Sequence, residues 1–255
     1  MTHEAVTLSP QRESELADAL TALRLRLAAA AEAAGRDVAD IELVAVTKFF
    51  PVTDVAILSR LGCHAVGESR DQEASAKVDA LAEMLGPTAR RVDWHMVGQV
   101  QRNKARSLAR WAHTVHSVSD SRVVRSLDRA VSAALTEGSR QHRLRVYVQA
   151  SLDGDESRGG VDIAEPGALD DICAQVGASP GLELVGLMGI PPLDWDPEAA
   201  FARLHSEQQR IRAAHPTAAG LSAGMSDDIE AAVKHGSTCV RVGTALLGRR
   251  PLRSR

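Results

Sequence analysis

The 255-residue chain is poor in aromatic side chains, with three Phe, three Trp and a single tyrosine, Tyr147, together 3% of residues. Chemistry that needs a phenol as acid or base therefore depends on that one residue. Cysteine is scarce too. Cys63, Cys173 and Cys239 lie far apart without CxxC spacing, which excludes a disulfide framework and points to reduced thiols in a cytosolic protein. No stretch approaches the ~20 apolar residues of a membrane span, and the N-terminal segment lacks a basic-then-apolar signal pattern. The formal net charge is only -3, so there is no electrostatic case for nucleic acid or an anionic membrane as partner. The nine histidines form no HExxH or Cys/His zinc spacing, and no metal site is expected.

Apolar patterning, by contrast, is strong. Leu16, Leu20, Leu23 and Leu27 recur at helical spacing between residues 11 and 34, and Gly35 stops the run, which predicts an amphipathic helix. From residue 41 the pattern alternates. Residues 41–47, 64–69, 92–98, 114–119, 144–151, 182–190, 220–224 and 238–248 read as strands. Helical stretches at 53–61, 71–85, 101–111, 121–136, 165–177, 197–214 and 227–235 separate them. Continuous Val/Ile/Leu runs fit parallel strands buried on both faces, and eight such units in about 250 residues fit the α/β class as a (β/α)8 TIM barrel. A doubly wound open sheet is the rival, but it would carry GxGxxG after its first strand, where this chain has TKFFPVTD. The expected organisation is a single domain over 1–255, with an extra N-terminal helix at about 11–34 and the barrel at about 41–248. That helix is expected to cover the barrel where a terminal helix would otherwise close the ring.

In such a barrel the chemistry sits at the C-terminal strand ends. In order these are Lys48, Glu68 to Arg70, His95 to Gln99, Ser117 and Ser119, Gln149 and Ser151, Met188, Ser222 to Ser226, and Arg241 to Thr244. Most of them need no function, because strands turn polar to enter loops. Two stretches ask for more. SAGMSDD sets small residues directly before a helix, and RVGT ends the last strand. Backbone N–H groups, hydroxyls and a helix N-terminus there suit a phosphate dianion; the plain alternative is an N-cap at Ser226 and a turn glycine at Gly243. Lys48 ends the first strand. A partly buried lysine keeps a larger fraction of neutral amine, which forms a Schiff base with an aldehyde. Lysine plus phosphate site suggests pyridoxal 5′-phosphate (PLP), although a sugar-phosphate aldolase needs the same pair. For Lys48 alone, the plain alternative is a snorkelling surface lysine.

The stretches LVAVTKFFP (43–51), VGESRDQE (66–73), WHMVGQVQRNKAR (94–106), VHSVSDSRV (115–123), DGDESRGG (153–160), GLMGIPP (186–192) and LSAGMSDDIEAAVKHGSTCVRVGTALLGRR (221–250) follow one another along nearly the whole chain. In them the chain resembles the YggS/PROSC family of pyridoxal phosphate homeostasis proteins. The resemblance implies a barrel like the N-terminal domain of alanine racemase, PLP fold type III. It implies PLP held as a covalent internal aldimine on Lys48, with its phosphate around Ser222, Ser226, Arg241, Gly243 and Thr244. Ser69, Met188, Gly224 and Met225 complete the expected cofactor-binding set. Arg241 is open between the phosphate and the pyridine nitrogen. The implied role is a cytoplasmic PLP carrier or regulator without catalytic residues, a monomer, with PLP-dependent apoenzymes as acceptors. The chain departs from the family pattern at Ser69, where Asn is usual, and at Gln99, where His is usual.

A racemase of this architecture needs a second acid/base opposite the lysine. In alanine racemase that group is a tyrosine from the C-terminal β domain of the other subunit. Here the sequence ends just past the eighth strand, and Tyr147 falls inside the fifth, where a packed core residue is expected. The alternative reading is a low-activity racemase or related amino-acid enzyme that uses Lys48 with water or His95.

Overall fold

Helix α1 (Pro10–Ala33) starts where the sequence places a cap: Ser9 Oγ accepts from the Arg12 N–H, and Pro10 occupies the first turn. It ends in a Schellman turn. Gly35 (φ 65°) donates to Glu32 O at 2.9 Å and Arg36 donates to Ala31 O at 2.9 Å. Leu16, Leu20, Leu23 and Leu27 are all buried, each contributing about 1.5–3 kcal/mol of apolar burial. The computed structural model describes residues 8–86 and 92–249. The outermost ends of the expected 1–255 domain lie outside the described residues.

Eight strands form the barrel: β1 (Glu42–Val46), β2 (Ala65–Glu68), β3 (Asp93–Met96), β4 (Thr114–Val118), β5 (Leu144–Ser151), β7 (Leu182–Met188), β8 (Gly220–Ser222) and β9 (Cys239–Val242). All pair in parallel, and the ring closes through β4 on β5 and β9 on β1. The two-residue β6 (Val161–Asp162) adds to the outer end of β5. Around the ring run α2 (Val52–Arg60), α3 (Asp71–Leu85), α4 (Ala105–Trp111), α5 (Ser121–Thr136), α6 (Pro166–Ala178), α7 (Pro197–Ala214), α8 (Ile229–Lys234) and the turn-long α9 (Thr244–Leu247). The (β/α)8 expectation is therefore met. Helix α1 packs against α2, α8 and α9 and fills the remaining slot of the outer layer. Its guanidinium groups fasten it there. Arg12 reaches Asp54 Oδ2 at 2.7 Å and Leu247 O at 3.0 Å, and Arg26 reaches Glu230 and Ser226 O.

Two elements differ from the sequence reading. The expected last strand, 238–248, stops at Val242; Gly243 O then accepts from Leu246 and Leu247 at 3.1 and 2.8 Å and winds the chain into α9. A short strand already spans the barrel wall, and the apolar Leu246 and Leu247 are buried by coiling beside α1 instead. The expected helix 101–111 likewise divides into a 3-10 turn, Arg102–Lys104, and α4.

Side chains alternate along each strand. Val44, Ala65, Tyr147, Val185, Met188 and Cys239 form one cluster within the barrel. Tyr147 fits because residue 220 is glycine: a Cβ there would come within 2.9 Å of the ring. The same alternation carries Val44 and Val46 along one face of β1, and Cys239 and Arg241 along one face of β9, with Lys48 and Gly243 just past the strand ends. The register sets Val44 beside Arg241.

Candidate functional site

Val46, Lys48, Arg241 and Gly243 meet at a cavity of about 280 Å³ at the C-terminal mouth. Lys48 sits in a turn rather than in β1. Phe50 N–H donates to Thr47 O at 3.0 Å, and Phe49 has φ 73° while Lys48 keeps a negative φ, which defines a type II turn with Lys48 and Phe49 at its centre. A bulky residue at that φ costs on the order of 1–3 kcal/mol. Phe49, Phe50, Val97 and Ile190 supply apolar wall. The Ile190 side is pinned by Arg158, which donates to Ile190 O at 2.7 Å and Pro191 O at 3.0 Å.

The opposite wall is the loop 223–228 with the start of α9. Met225, Ser226, Asp227, Gly243 and Thr244 line it. Gly224 (φ 92°) makes the loop possible, because a Cβ there would lie 2.6 Å from Ala232 Cβ. Its carbonyl accepts from Arg241 N–H at 2.9 Å, and Ser226 Oγ accepts from Ala245 N–H at 3.2 Å, so the loop is tied to both β9 and α9. The backbone N–H groups of Gly243 and Thr244 open the α9 turn ahead of those that bond to Gly243 O and Ser226 Oγ. With the Ser226 and Thr244 hydroxyls beside them, this wall suits an anion.

Arg241 forms the floor, 5% exposed. Its guanidinium donates to Ser222 Oγ and, at 3.2 Å, to Gly189 O. Burial pushes its pKa down, opposed by Cys239, Asp228 and Tyr147. Below it the bonds continue: Ser222 Oγ lies 2.9 Å from His116 Nδ1, and His116 Nε2 lies 2.9 Å from His95 Nδ1. Tyr147 stacks on His116 with centroids 4.8 Å apart. Burial drives the His95 pKa down to about 3, and that of His116 well below its ordinary value. Both imidazoles are therefore neutral at pH 7. A guanidinium only donates, so Ser222 Oγ accepts from Arg241, and the contacts continue through His116 to His95. His95 Nε2 ends the series, buried and without a hydrogen-bond partner among the described residues.

Of the residues expected from sequence, Lys48, Met225, Ser226, Arg241, Gly243 and Thr244 come together on the cavity lining. Four do not line it. Ser222 is fully buried beneath Arg241, Gly224 shapes the loop from behind, and Met188 belongs to the barrel interior beside Tyr147. Ser69 opens onto a neighbouring groove with Asp71, Gln99 and Lys104. Sequence reasoning missed Phe49, Phe50, Val97, Ile190 and Asp227. Phe49 and Phe50 carried a signal, being two of only three phenylalanines and adjacent to Lys48.

Residues 19–251 match the family model described as "Alanine racemase, N-terminal domain". The chain is 70% identical over 249 residues to the pyridoxal phosphate homeostasis protein of Mycobacterium tuberculosis, covering 96% of each. The chain belongs to the pyridoxal phosphate homeostasis protein family. The Corynebacterium glutamicum homeostasis protein is 42% identical over 231 residues, covering 90% of this chain and all of that one. Among solved structures, PipY of Synechococcus elongatus with PLP bound superposes with a TM-score of 0.76 at 28% identity, over 91% of this chain and 100% of that one. Alanine racemase from C. glutamicum shares the fold at a TM-score of 0.63 and 15% identity, with 94% of this chain matching 62% of the enzyme.

Proposed function

We propose that this homeostasis-family chain binds pyridoxal 5′-phosphate covalently through Lys48 and serves as a non-catalytic carrier for PLP-dependent apoenzymes. The observation that carries the reading is the convergence of Lys48, Arg241 and the Ser226/Thr244 wall on one cavity. The residues present fit the cofactor. The cavity's volume of about 280 Å³ lies just below the roughly 300–1,000 Å³ of small-molecule sites. An amine stands on one side, an anion-binding wall on the other, apolar side chains flank both, and a guanidinium forms the floor. PLP supplies an aldehyde that condenses with an amine, forming a C=N bond and releasing water. Lys48 provides the amine. Ser226, Thr244 and the backbone at Gly243 hold the phosphate. Ser222 is committed to Arg241 and orients it.

The non-catalytic part rests on Tyr147 and His95. The only tyrosine is 3% exposed and stacked on His116, and burial raises its pKa far above the ordinary value. His95 is fully buried below Arg241. Neither lines the cavity to serve as a base opposite Lys48. A monomeric, cytoplasmic protein completes the proposal. The three cysteines are free buried thiols, as a reducing compartment maintains, and no helix among the described residues is long and apolar enough to cross a membrane.

Borohydride reduction of PLP-loaded protein followed by peptide mass spectrometry is expected to place the adduct on Lys48; an adduct on Lys77, Lys104 or Lys234 with Lys48 bare overturns the assignment. Racemisation and transamination assays over a panel of amino acids are expected to show no turnover approaching the ~10 s⁻¹ typical of enzymes, while PLP passes to an added apoenzyme. Arg241→Gln is expected to weaken PLP binding roughly tenfold or more, since a charge-assisted hydrogen bond is worth about 1.5–3 kcal/mol. Equilibrium titration of the folded variant checks this, and unchanged affinity removes Arg241 from the site.

A further inference from the structure

The alternation that turns Val46 toward the cavity turns Thr47 outward, toward the helices. Thr47 and Glu68, at the ends of β1 and β2, are both fully buried there. Lys77, from α3, reaches between them. Its ammonium donates to Glu68 Oε1 at 2.6 Å and to Thr47 O at 2.9 Å. Thr47 Oγ1 donates to the same carboxylate oxygen at 2.7 Å. Thr47 O thus accepts twice, from Lys77 and from the Phe50 N–H that closes the turn. Glu68 Oε2 is buried with no hydrogen-bond partner among the described residues.

A carboxylate with an unmatched oxygen, far from solvent, is a poor choice for stability alone. A strained φ persists only where its surroundings over-determine it. The two features lie side by side, because Thr47 is both the first residue of the strained turn and the residue the ion pair grips. We propose that Glu68 and Lys77 are positioning residues for Lys48: they clamp Thr47 and hold the type II turn that presents the Lys48 amine to the cavity. The inference rests on the reading of Lys48 as the covalent anchor of PLP. It assigns the pair no contact with the cofactor.

The test compares two ligands that share ring and phosphate. Pyridoxal 5′-phosphate has an aldehyde for Lys48, whereas pyridoxine 5′-phosphate has an alcohol and depends on the rest of the site. Lys77→Met is expected to lower affinity for pyridoxal 5′-phosphate about tenfold, the loss of one charge-assisted hydrogen bond, while affinity for pyridoxine 5′-phosphate stays within about twofold. Lys77→Arg is expected to recover most of the difference. Glycine adopts the turn conformation without strain, so Lys77→Met is expected to cost less in a Phe49→Gly background. Where Lys77→Met leaves Glu68 too exposed to imbalance to fold, the double variant Glu68→Gln/Lys77→Met removes both charges and undergoes the same comparison. Equal losses for the two ligands would show a scaffold role only and overturn the proposal, as would an undiminished affinity for pyridoxal 5′-phosphate. Wild-type protein that binds the two ligands equally would overturn the role of Lys48 itself, a different outcome from failure of the clamp.

Discussion

Lys48→Met is expected to abolish the borohydride-trapped adduct and to reduce PLP affinity to that of pyridoxine 5′-phosphate. A pre-positioned amine reacts as a tethered partner, and removing it costs roughly two or more orders of magnitude. What remains is the anion wall of Ser226, Gly243 and Thr244 with the Arg241 floor, none of which the substitution touches. The variant is therefore expected to keep measurable, reversible affinity and an unchanged fold. Lys48→Arg separates charge from nucleophilicity, since a guanidinium stays protonated and forms no adduct. Titration by absorbance and by competition with pyridoxine 5′-phosphate reads both quantities. A Lys48→Met protein that still forms a reducible adduct with wild-type affinity would dismiss the lysine.

Acidification is expected to destabilise the apoprotein more steeply than its carboxylates alone would. His95 and His116 are neutral in the barrel, with folded-state pKa values below the ordinary 6.5. As pH falls below 6.5 the unfolded chain takes up protons that the folded chain refuses, so stability drops. Each histidine contributes about 1.4 kcal/mol per pH unit well below its unfolded pKa. For His95 the window extends down to about pH 3. At pH 5 the pair is expected to have cost on the order of 4 kcal/mol relative to pH 8. Half-buried Glu42 acts in the opposite sense, because its partial burial raises its pKa and the folded state gains the proton first. Urea midpoints between pH 8 and pH 5 measure the slope. His116→Gln removes one titrating imidazole and is expected to flatten the slope by about half, whatever it does to stability at pH 8. An unaltered slope in that variant would mean that His116 is not held neutral.

Much of this was legible in the order of residues. Eight apolar runs bounded by polar strand ends announce a barrel, and the Leu16–Leu27 stripe announces a helix that must be covered. Lys48 was legible because two-residue alternation projects it onto the same face as Val44 and Val46. Depth along the barrel axis was not legible. Ser222 and Ser226 look equally suited to a phosphate in the string SAGMS, yet the pairing of Ser222 with Cys239 sets it below Arg241 while Ser226 reaches the rim. The His95–His116 contact was hidden as well. The two lie 21 residues apart and meet only because β3 and β4 are neighbours. Val97 and Ile190 carry no sequence mark that separates cavity wall from core.

Helix α1 is made long before the elements that complete its packing. Its partners α8 and α9 leave a ribosome about two hundred residues after its apolar stripe, as the Arg12–Leu247 and Arg26–Ser226 bonds record. At about 5–20 residues per second, that delay is roughly 10 to 40 s. During it the leucines lack the cover of α8 and α9, and the nascent barrel lacks the β9–β1 seam. Ring closure is thus a late event joining distant segments, the kind of topology that slows folding. The loop 223–228 takes its final place in the same event, so that wall of the cavity and the last join of the barrel form together.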